Sequence, residues 1–198
     1  MVDTLYTKMR KDAKVKKAAK SNDRQVYERS IFPGIFDTTA QEAYMERNIG
    51  LLAENIAKDE KIKFVMIAGP SSSGKTTFSH RLSAQLRALG VTPHPVPLDS
   101  YYKGRDQIPL DEFGEKDFES IDGLDIELFN QNMTDLLNGK RVELPDYNFK
   151  TGKREYKGNY KQLGADDVLV IEGIHCLNDK MSYALPVESK FKIYISAL

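Results

Sequence analysis

Residues 64–77, FVMIAGPSSSGKTT, decide the fold of this 198-residue chain. The five apolar residues at the start of this stretch predict a short strand that is buried on both faces of a parallel sheet. Residues 69–76 match the pattern G-x-x-x-x-G-K-[ST], and the apolar spacing from Thr76 to Leu89 predicts a helix. A strand, a glycine-rich loop and a helix in this order form the setting in which the pattern binds phosphate groups.

The residue types of the loop explain how it would hold a nucleotide. The glycines let backbone N–H groups turn inward around phosphate oxygens, and the helix N-terminus adds a partial positive charge. Lys75 is expected to reach the β- and γ-phosphates, and the Thr76 hydroxyl to ligate Mg²⁺. We therefore predict that ATP and Mg²⁺ are bound here, by the following loop residues: Gly69, Ser71, Ser72, Ser73, Gly74, Lys75, Thr76 and Thr77.

Strand and helix patterns alternate along the rest of the chain. Short apolar runs predict strands at residues 96–98, 168–171 and 191–195. Asp125 is expected to cap a helix that ends at Gly139, and residues 142–156 alternate as in a hairpin. This order predicts a P-loop NTPase fold, a three-layer α/β/α sandwich around a mostly parallel central sheet.

Two carboxylates follow predicted strands. Glu172 comes directly after residues 168–171, and Asp99 directly after residues 96–98. Because the carboxyl ends of parallel strands face the ligand crevice, we expect both side chains near the phosphates. Glu172 is expected to hold Mg²⁺, and Asp99 to orient an attacking hydroxyl or accept its proton. The alternatives are a strand-end glutamate in solvent and an aspartate that caps a turn.

The composition narrows the classes of protein. Lys and Arg total 29 and so do Asp and Glu, so the formal net charge is zero, which argues against a nucleic-acid partner. The basic run at residues 8–20 is interpreted as a solvated surface. The apolar runs are far shorter than the roughly 20 residues that a membrane helix needs, so no membrane partner is expected. A single cysteine forms no internal disulfide, which favours a cytoplasmic protein.

The pattern changes near Lys61. Residues 1–60 are expected to form a helical N-terminal extension, with one helix over residues 39–58 that packs on the domain after it. Residues 61–198 are expected to form the P-loop domain. The sequence is also compatible with a homo-oligomer.

Several segments resemble the uridine kinase and phosphoribulokinase-like branch of the P-loop kinases. Residues 99–103, DSYYK, are similar to the family's D-S-F-Y segment, and residues 117–125 to its N-F-D-H-P-D-A-F-D segment. Residues 145–149 resemble its P-x-Y-D-F, and residues 172–174 match its E-G-I. The resemblance covers about residues 63–198 and is strongest to bacterial uridine kinase-like proteins that carry an N-terminal extension.

The resemblance implies roles for individual residues. It makes Asp99 the general base, with Lys75 as the second catalytic residue. It turns four side chains toward the phosphate acceptor: Tyr102, Glu119, Tyr147 and Arg154. Glu119 replaces an aspartate that binds ribose hydroxyls in the family, and residues 151–153 replace a segment in which the family often has a histidine that contacts the nucleoside base. The resemblance therefore implies sugar recognition more strongly than a pyrimidine preference.

The function implied is that of an ATP-dependent small-molecule kinase. Its acceptor would be a hydroxyl of a small molecule, most simply the 5′-hydroxyl of uridine or cytidine. Two alternatives remain: a nucleotide-binding regulatory or interaction module with little turnover, and a P-loop ATPase or nucleic-acid-handling protein, which only the basic runs support. Family members continue into an arginine-bearing lid, so residues 61–198 are expected to represent a kinase domain that is truncated before the lid.

Overall fold

A parallel four-stranded sheet forms the centre of the structure, a computed structural model that describes residues 38–196. Its strands are β1 (Phe64–Ala68), β2 (Thr92–Pro97), β7 (Asp167–Glu172) and β8 (Lys190–Tyr194), in the order β2-β7-β1-β8. All three neighbouring pairs are parallel. The basic run at residues 8–20 lies outside the described residues.

Three α-helices surround this sheet: α1 (Thr38–Ala57), α2 (Lys75–Ala88) and α3 (Ile126–Leu137). The side chain of Asp125 caps α3 by accepting the backbone N–H of Leu128 at 3.1 Å, as its position in the sequence predicts. All three helices were predictable from apolar spacing, and the three-layer α/β/α fold is confirmed. No helix in the described part of the chain is both long and apolar enough to cross a membrane.

The strand side chains alternate between two cores. From β1, Phe64 and Met66 enter the core that α3 covers, while Val65 and Ile67 enter the core that α1 and α2 cover. This double burial explains why the strand is a continuous apolar run rather than an alternating one. Helix α1 contributes four buried residues to the second core: Ile49, Leu52, Ala53 and Ile56. The helix expected as part of an extension therefore shares the hydrophobic core of the sheet.

Strand β2 begins earlier than the predicted residues 96–98 and leaves Leu98 outside. It includes Pro93, Pro95 and Pro97, and lies at the edge of the sheet. The backbone N–H of Thr92 donates to Asp166 on the β7 side, so the alternate residues, which are the prolines, direct their nitrogens away from the sheet. Because a proline has no N–H to donate, it is tolerated on this outer side.

An antiparallel arm follows α3. Its strands are β3 (Val142–Glu143), β4 (Asp146–Asn148), β5 (Lys153–Glu155) and β6 (Tyr160–Lys161). The predicted hairpin over residues 142–156 is confirmed only for its inner part, where β4 pairs with β5. The outer strand β3 pairs with β6, beyond the predicted end of the hairpin.

Candidate active site

The loop between β1 and α2 has the curled backbone that phosphate binding requires. Ser72 and Gly74 both adopt left-handed conformations, with φ of 62° and 82°. Gly69 is needed for a different reason, because a Cβ there would collide with the carbonyl oxygen of Ile195. Left-handed residues that alternate along a loop turn their N–H groups toward one centre, where an anion binds.

The predicted metal residues lie in contact. The Thr76 hydroxyl donates to the Glu172 carboxylate, with its oxygen 2.9 and 3.0 Å from the two carboxylate oxygens. A hydroxyl and a carboxylate are hard oxygen donors of the kind that Mg²⁺ prefers, together with nucleotide phosphates and water. No group of three or more His, Cys, Asp or Glu side chains is placed to bind a metal within residues 38–196. Thr76 and Glu172 therefore fit Mg²⁺ as part of a nucleotide complex.

Lys75 is folded back onto the phosphate loop. Its Nζ donates to the Pro70 carbonyl oxygen at 2.7 Å. This bond holds the ammonium group next to the curled backbone. Reaching a β- or γ-phosphate would require Lys75 to exchange this carbonyl for a charged oxygen, which forms a stronger hydrogen bond.

Asp99 and Glu172 lie at the carboxyl ends of two neighbouring strands. Pro97, the last residue of β2, is in register with Glu172, the last residue of β7. Asp99 follows in a 3₁₀ turn, Leu98–Tyr101. A Cβ on Gly173 would meet the Cβ of Leu98 at 2.6 Å, so the glycine after Glu172 lets the two strand ends approach closely.

The surroundings of Asp99 shift the pKa of its carboxyl. The side chain reaches solvent, but burial raises its pKa above the ordinary value, and the positive charges of Lys75 and His175 act in the opposite direction. The net shift is upward. A general base is most effective when its pKa lies close to the working pH, so the direction of this shift is the one that the predicted role of Asp99 requires.

Two of the four predicted acceptor residues, Tyr102 and Tyr147, belong to a cluster of aromatic rings. The ring of Tyr102 lies 5.3 Å from that of Phe118, 5.6 Å from Tyr147 and 6.3 Å from Phe149. Tyr102 is buried, and its hydroxyl donates to the Phe118 carbonyl. Burial, together with nearby carboxylates that include Asp99, raises the pKa of Tyr102. The Tyr147 hydroxyl is buried, without a hydrogen-bond partner in the described part of the chain.

Arg154 and Glu119 occupy different positions. The Arg154 guanidinium donates to the Asp125 carboxylate at 2.9 Å and to the Tyr102 carbonyl at 3.2 Å. Its Nε is buried, with no partner among the described residues. Glu119 is exposed, and the carboxylate of Asp117 holds its backbone N–H. Of the predicted acceptor residues, Glu119 is therefore exposed to solvent, whereas Arg154 is hydrogen-bonded within the protein.

His175 is a site residue that our interpretation of the sequence missed. Its Nε2 lies 2.8 Å from the Glu119 carbonyl oxygen, and its charge acts on Asp99. The other histidines lie elsewhere: His80 is exposed on α2, and His94 pairs with Asp167 at the opposite end of the strands. The available signal was the position of His175, three residues after Glu172 in a loop that follows a strand end.

Cys176 lies in the hydrophobic core and is not placed to act as a nucleophile. It is fully buried and its sulfur approaches the Ile171 carbonyl at 3.6 Å. Burial raises the pKa of its thiol, so the nucleophilic thiolate form is disfavoured. Cys176 is therefore a small buried thiol of the core that α3 covers.

A phosphate loop at the carboxyl end of a parallel strand, with carboxylates on the neighbouring strand ends, defines a P-loop nucleotide-binding fold. Residues 64–197 match the Phosphoribulokinase / Uridine kinase family, and the chain belongs to that family. A uridine kinase from Macrococcus caseolyticus is 33% identical over 119 residues, 60% of this chain and 56% of the relative. One from Staphylococcus aureus is 34% identical over 116 residues, 58% of this chain and 54% of the relative.

The chain thus spans about half the length of the curated relatives it matches. Among solved structures, one described as a possible uridine kinase from Bacillus stearothermophilus superimposes with a TM-score of 0.63. The superposition covers 78% of this chain and 83% of the other, at 22% sequence identity. At that identity the likeness concerns the fold alone.

Proposed function

We propose that this protein is an ATP-dependent kinase that phosphorylates the 5′-hydroxyl of a pyrimidine ribonucleoside. The observation that carries the proposal is the contact of Thr76 with Glu172 beside the phosphate loop, with Asp99 in the turn that follows the neighbouring strand. Family membership and relatives named uridine kinases support a phosphoryl transfer to a nucleoside.

Each residue has a defined task in this transfer. The oxygen of the acceptor hydroxyl forms a bond to the γ-phosphorus while Asp99 accepts the hydroxyl proton. At the same time the bond between the γ-phosphorus and the β–γ bridging oxygen breaks, and ADP leaves. Lys75 and the loop N–H groups stabilise the negative charge on the phosphate oxygens. Thr76 and Glu172 would hold Mg²⁺, which neutralises charge on the same phosphates when it is bound.

The acceptor would bind between Asp99 and the segment that carries Glu119. The exposed carboxylate of Glu119 can accept hydrogen bonds from vicinal sugar hydroxyls. The half-open face of Phe149, 4.9 Å from the Tyr147 ring, offers apolar surface to a flat base. Because a site built to bond a hydroxyl strongly rejects an analogue without it, ribose should be distinguished more sharply than the base.

A coupled ADP-release assay tests the proposal. Uridine, cytidine and 2′-deoxyuridine are compared with a reaction that contains no acceptor. We expect acceptor-dependent release, with a kcat/KM for uridine at least about tenfold above that for 2′-deoxyuridine and closer to that for cytidine. Glu119→Ala should remove the preference for ribose, and equal kcat/KM for uridine and 2′-deoxyuridine in the wild type would contradict the role of Glu119.

A second candidate is a nucleotide-binding module with little or no turnover. The observation that favours it is that Arg154 and the Tyr102 hydroxyl are already engaged within the protein. ATP binding without nucleoside-dependent ADP release would support this candidate and overturn the kinase proposal. ADP release that is independent of any acceptor would instead indicate an ATPase.

A further inference from the structure

Two side chains from neighbouring strand ends hold two consecutive carbonyls. Tyr102, which follows β2, donates to the carbonyl of Phe118. His175, which follows β7, contacts the carbonyl of Glu119 at 2.8 Å. Both carbonyls belong to residues 117–120, the segment that carries Glu119. The carboxylate of Glu119 is the group proposed above to bind the sugar hydroxyls of the phosphate acceptor. The segment is therefore attached to both strand ends that supply Asp99 and Glu172.

Backbone N–H groups of this segment, residues 117–120, donate to partners no more than eight positions away in the sequence. The Asp117 carboxylate accepts the N–H groups of Glu119 and Ser120 at 2.9 and 3.1 Å, and the N–H of Asp117 donates to Pro109 at 2.8 Å. These bonds do not reach the strand ends. The hydrogen bonds from Tyr102 and His175 do, and the one from His175 is the one made to Glu119 itself.

The chemistry of the bond assigns a proton to His175. A carbonyl oxygen only accepts hydrogen bonds, so the Nε2 that faces it carries the hydrogen. The bond forms in the neutral ring with this tautomer and also in the protonated ring. The contact therefore persists whichever state the ring has, and its function is separable from any charge on the ring.

We propose that His175 is a positioning residue for the phosphate acceptor, a proposal that rests on the kinase function proposed above. Its Nε2–H bond holds the main chain of Glu119 against the loop that follows β7. The Glu119 carboxylate is thereby positioned to bind the acceptor close to Asp99. Loss of the bond should weaken acceptor binding, because a carboxylate displaced by about 1 Å no longer has hydrogen bonds of favourable length to the sugar hydroxyls. Nucleotide binding, which uses the other side of the site, should be unaffected.

Two substitutions separate this bond from the rest of the side chain. His175→Leu removes the donor and leaves the Glu119 carbonyl without its partner. His175→Gln keeps an amide N–H at nearly the place of Nε2 but cannot titrate. His80→Leu, on the exposed face of α2, serves as the matched histidine control. We expect His175→Leu to raise the KM for uridine about tenfold, the size of effect that one lost hydrogen bond produces.

The KM for ATP should change less than about twofold in all three variants, and His175→Gln should restore most of the uridine KM. Amide hydrogen exchange gives a readout independent of turnover. The N–H groups of Glu119 and Ser120 should exchange faster in His175→Leu and at the wild-type rate in His175→Gln. Unchanged exchange and an unchanged uridine KM in His175→Leu would overturn the proposal, as would equal rises in the KM of ATP and uridine.

Failure of the kinase proposal has a different signature. If the wild-type chain shows no nucleoside-dependent ADP release, the proposed function fails, and the exchange rates alone decide whether His175 holds the segment. Faster exchange in His175→Leu with recovery in His175→Gln would still support the attachment. Equal exchange in the wild type and both variants would overturn it.

Discussion

Arg154 is predicted to face the phosphate acceptor, but in the structure it forms an ion pair with Asp125. The strength of this ion pair decides whether Arg154 is available to bind an acceptor. The two oxygens of Asp125 have separate tasks: Oδ1 accepts the Leu128 N–H at 3.1 Å and caps α3, while Oδ2 accepts from Arg154 at 2.9 Å. Both side chains are largely buried, with 29% of Asp125 and 20% of Arg154 exposed. Asp125→Asn tests the ion pair selectively, because asparagine caps a helix about as well as aspartate.

The expected magnitude follows from the partial burial. Exposed pairs contribute about 0.2–1 kcal/mol, whereas breaking a fully buried pair costs about 3–5 kcal/mol. In Asp125→Asn the guanidinium still has the Tyr102 carbonyl at 3.2 Å, so part of its hydrogen bonding survives. We therefore expect a loss of about 1–2 kcal/mol in the free energy of unfolding, between the two limits.

Urea unfolding of four proteins measures the coupling: wild type, Asp125→Asn, Arg154→Met and the double variant. The coupling energy should be about 1–2 kcal/mol, because the double variant removes both charges together. The exposed pair Lys58–Glu54, at 3.5 Å where α1 ends, is the control and should show a coupling of about 0.5 kcal/mol or less. A coupling below about 0.3 kcal/mol for Asp125–Arg154 would refute the reasoning and leave Arg154 available to an acceptor.

Three further substitutions address the nucleotide side. Lys75→Met should weaken ATP binding about 10- to 100-fold in calorimetric titration, because each lost charge-assisted bond is worth about 1.5–3 kcal/mol; equal affinity would contradict the role of Lys75. Asp99→Asn should lower turnover about 10²- to 10⁴-fold but spare ATP affinity. Desolvation raises the pKa of the Asp99 carboxyl, so its ionisation lowers the free energy of unfolding as the pH rises through that pKa. Asp99→Asn should therefore unfold at neutral pH no more easily than the wild type, and easier unfolding would contradict the desolvation of Asp99. Glu172→Gln should raise the Mg²⁺ concentration needed for half-maximal ATP binding, and an unchanged requirement would exclude Glu172 as a ligand.

The fold could be predicted because its signals are local. The run Phe64–Ala68 is apolar on both faces, and the glycine-rich loop and helix follow it directly, so composition and order suffice. Strand β2 shows the limit of this approach. Three prolines in six residues argue against a strand, and only the position at the sheet edge makes them acceptable.

The site could be predicted in part for the same reason. Asp99 and Glu172 follow strands, and the rule that strand ends meet at one edge brings them together. The contact of His175 with the Glu119 carbonyl spans 56 positions in the sequence. Its partner is a backbone oxygen, which every residue has, so no residue type in the sequence marks it. The same holds for the Tyr102 carbonyl that Arg154 contacts.

The position of Asp99 depends on the start of α3 as well as on its own strand. The N–H of Asp125 donates to the Tyr101 carbonyl at 2.8 Å, and the N–H of Lys103 donates to Gly123 at 2.9 Å, so the segment that follows Asp99 is joined to the cap of α3. Arg154 binds the same cap and the same segment through Asp125 and Tyr102. The phosphate loop takes no part in these bonds. Weakening the cap should therefore move Asp99 relative to the acceptor and lower kcat for uridine, while the dissociation constant of ATP stays unchanged.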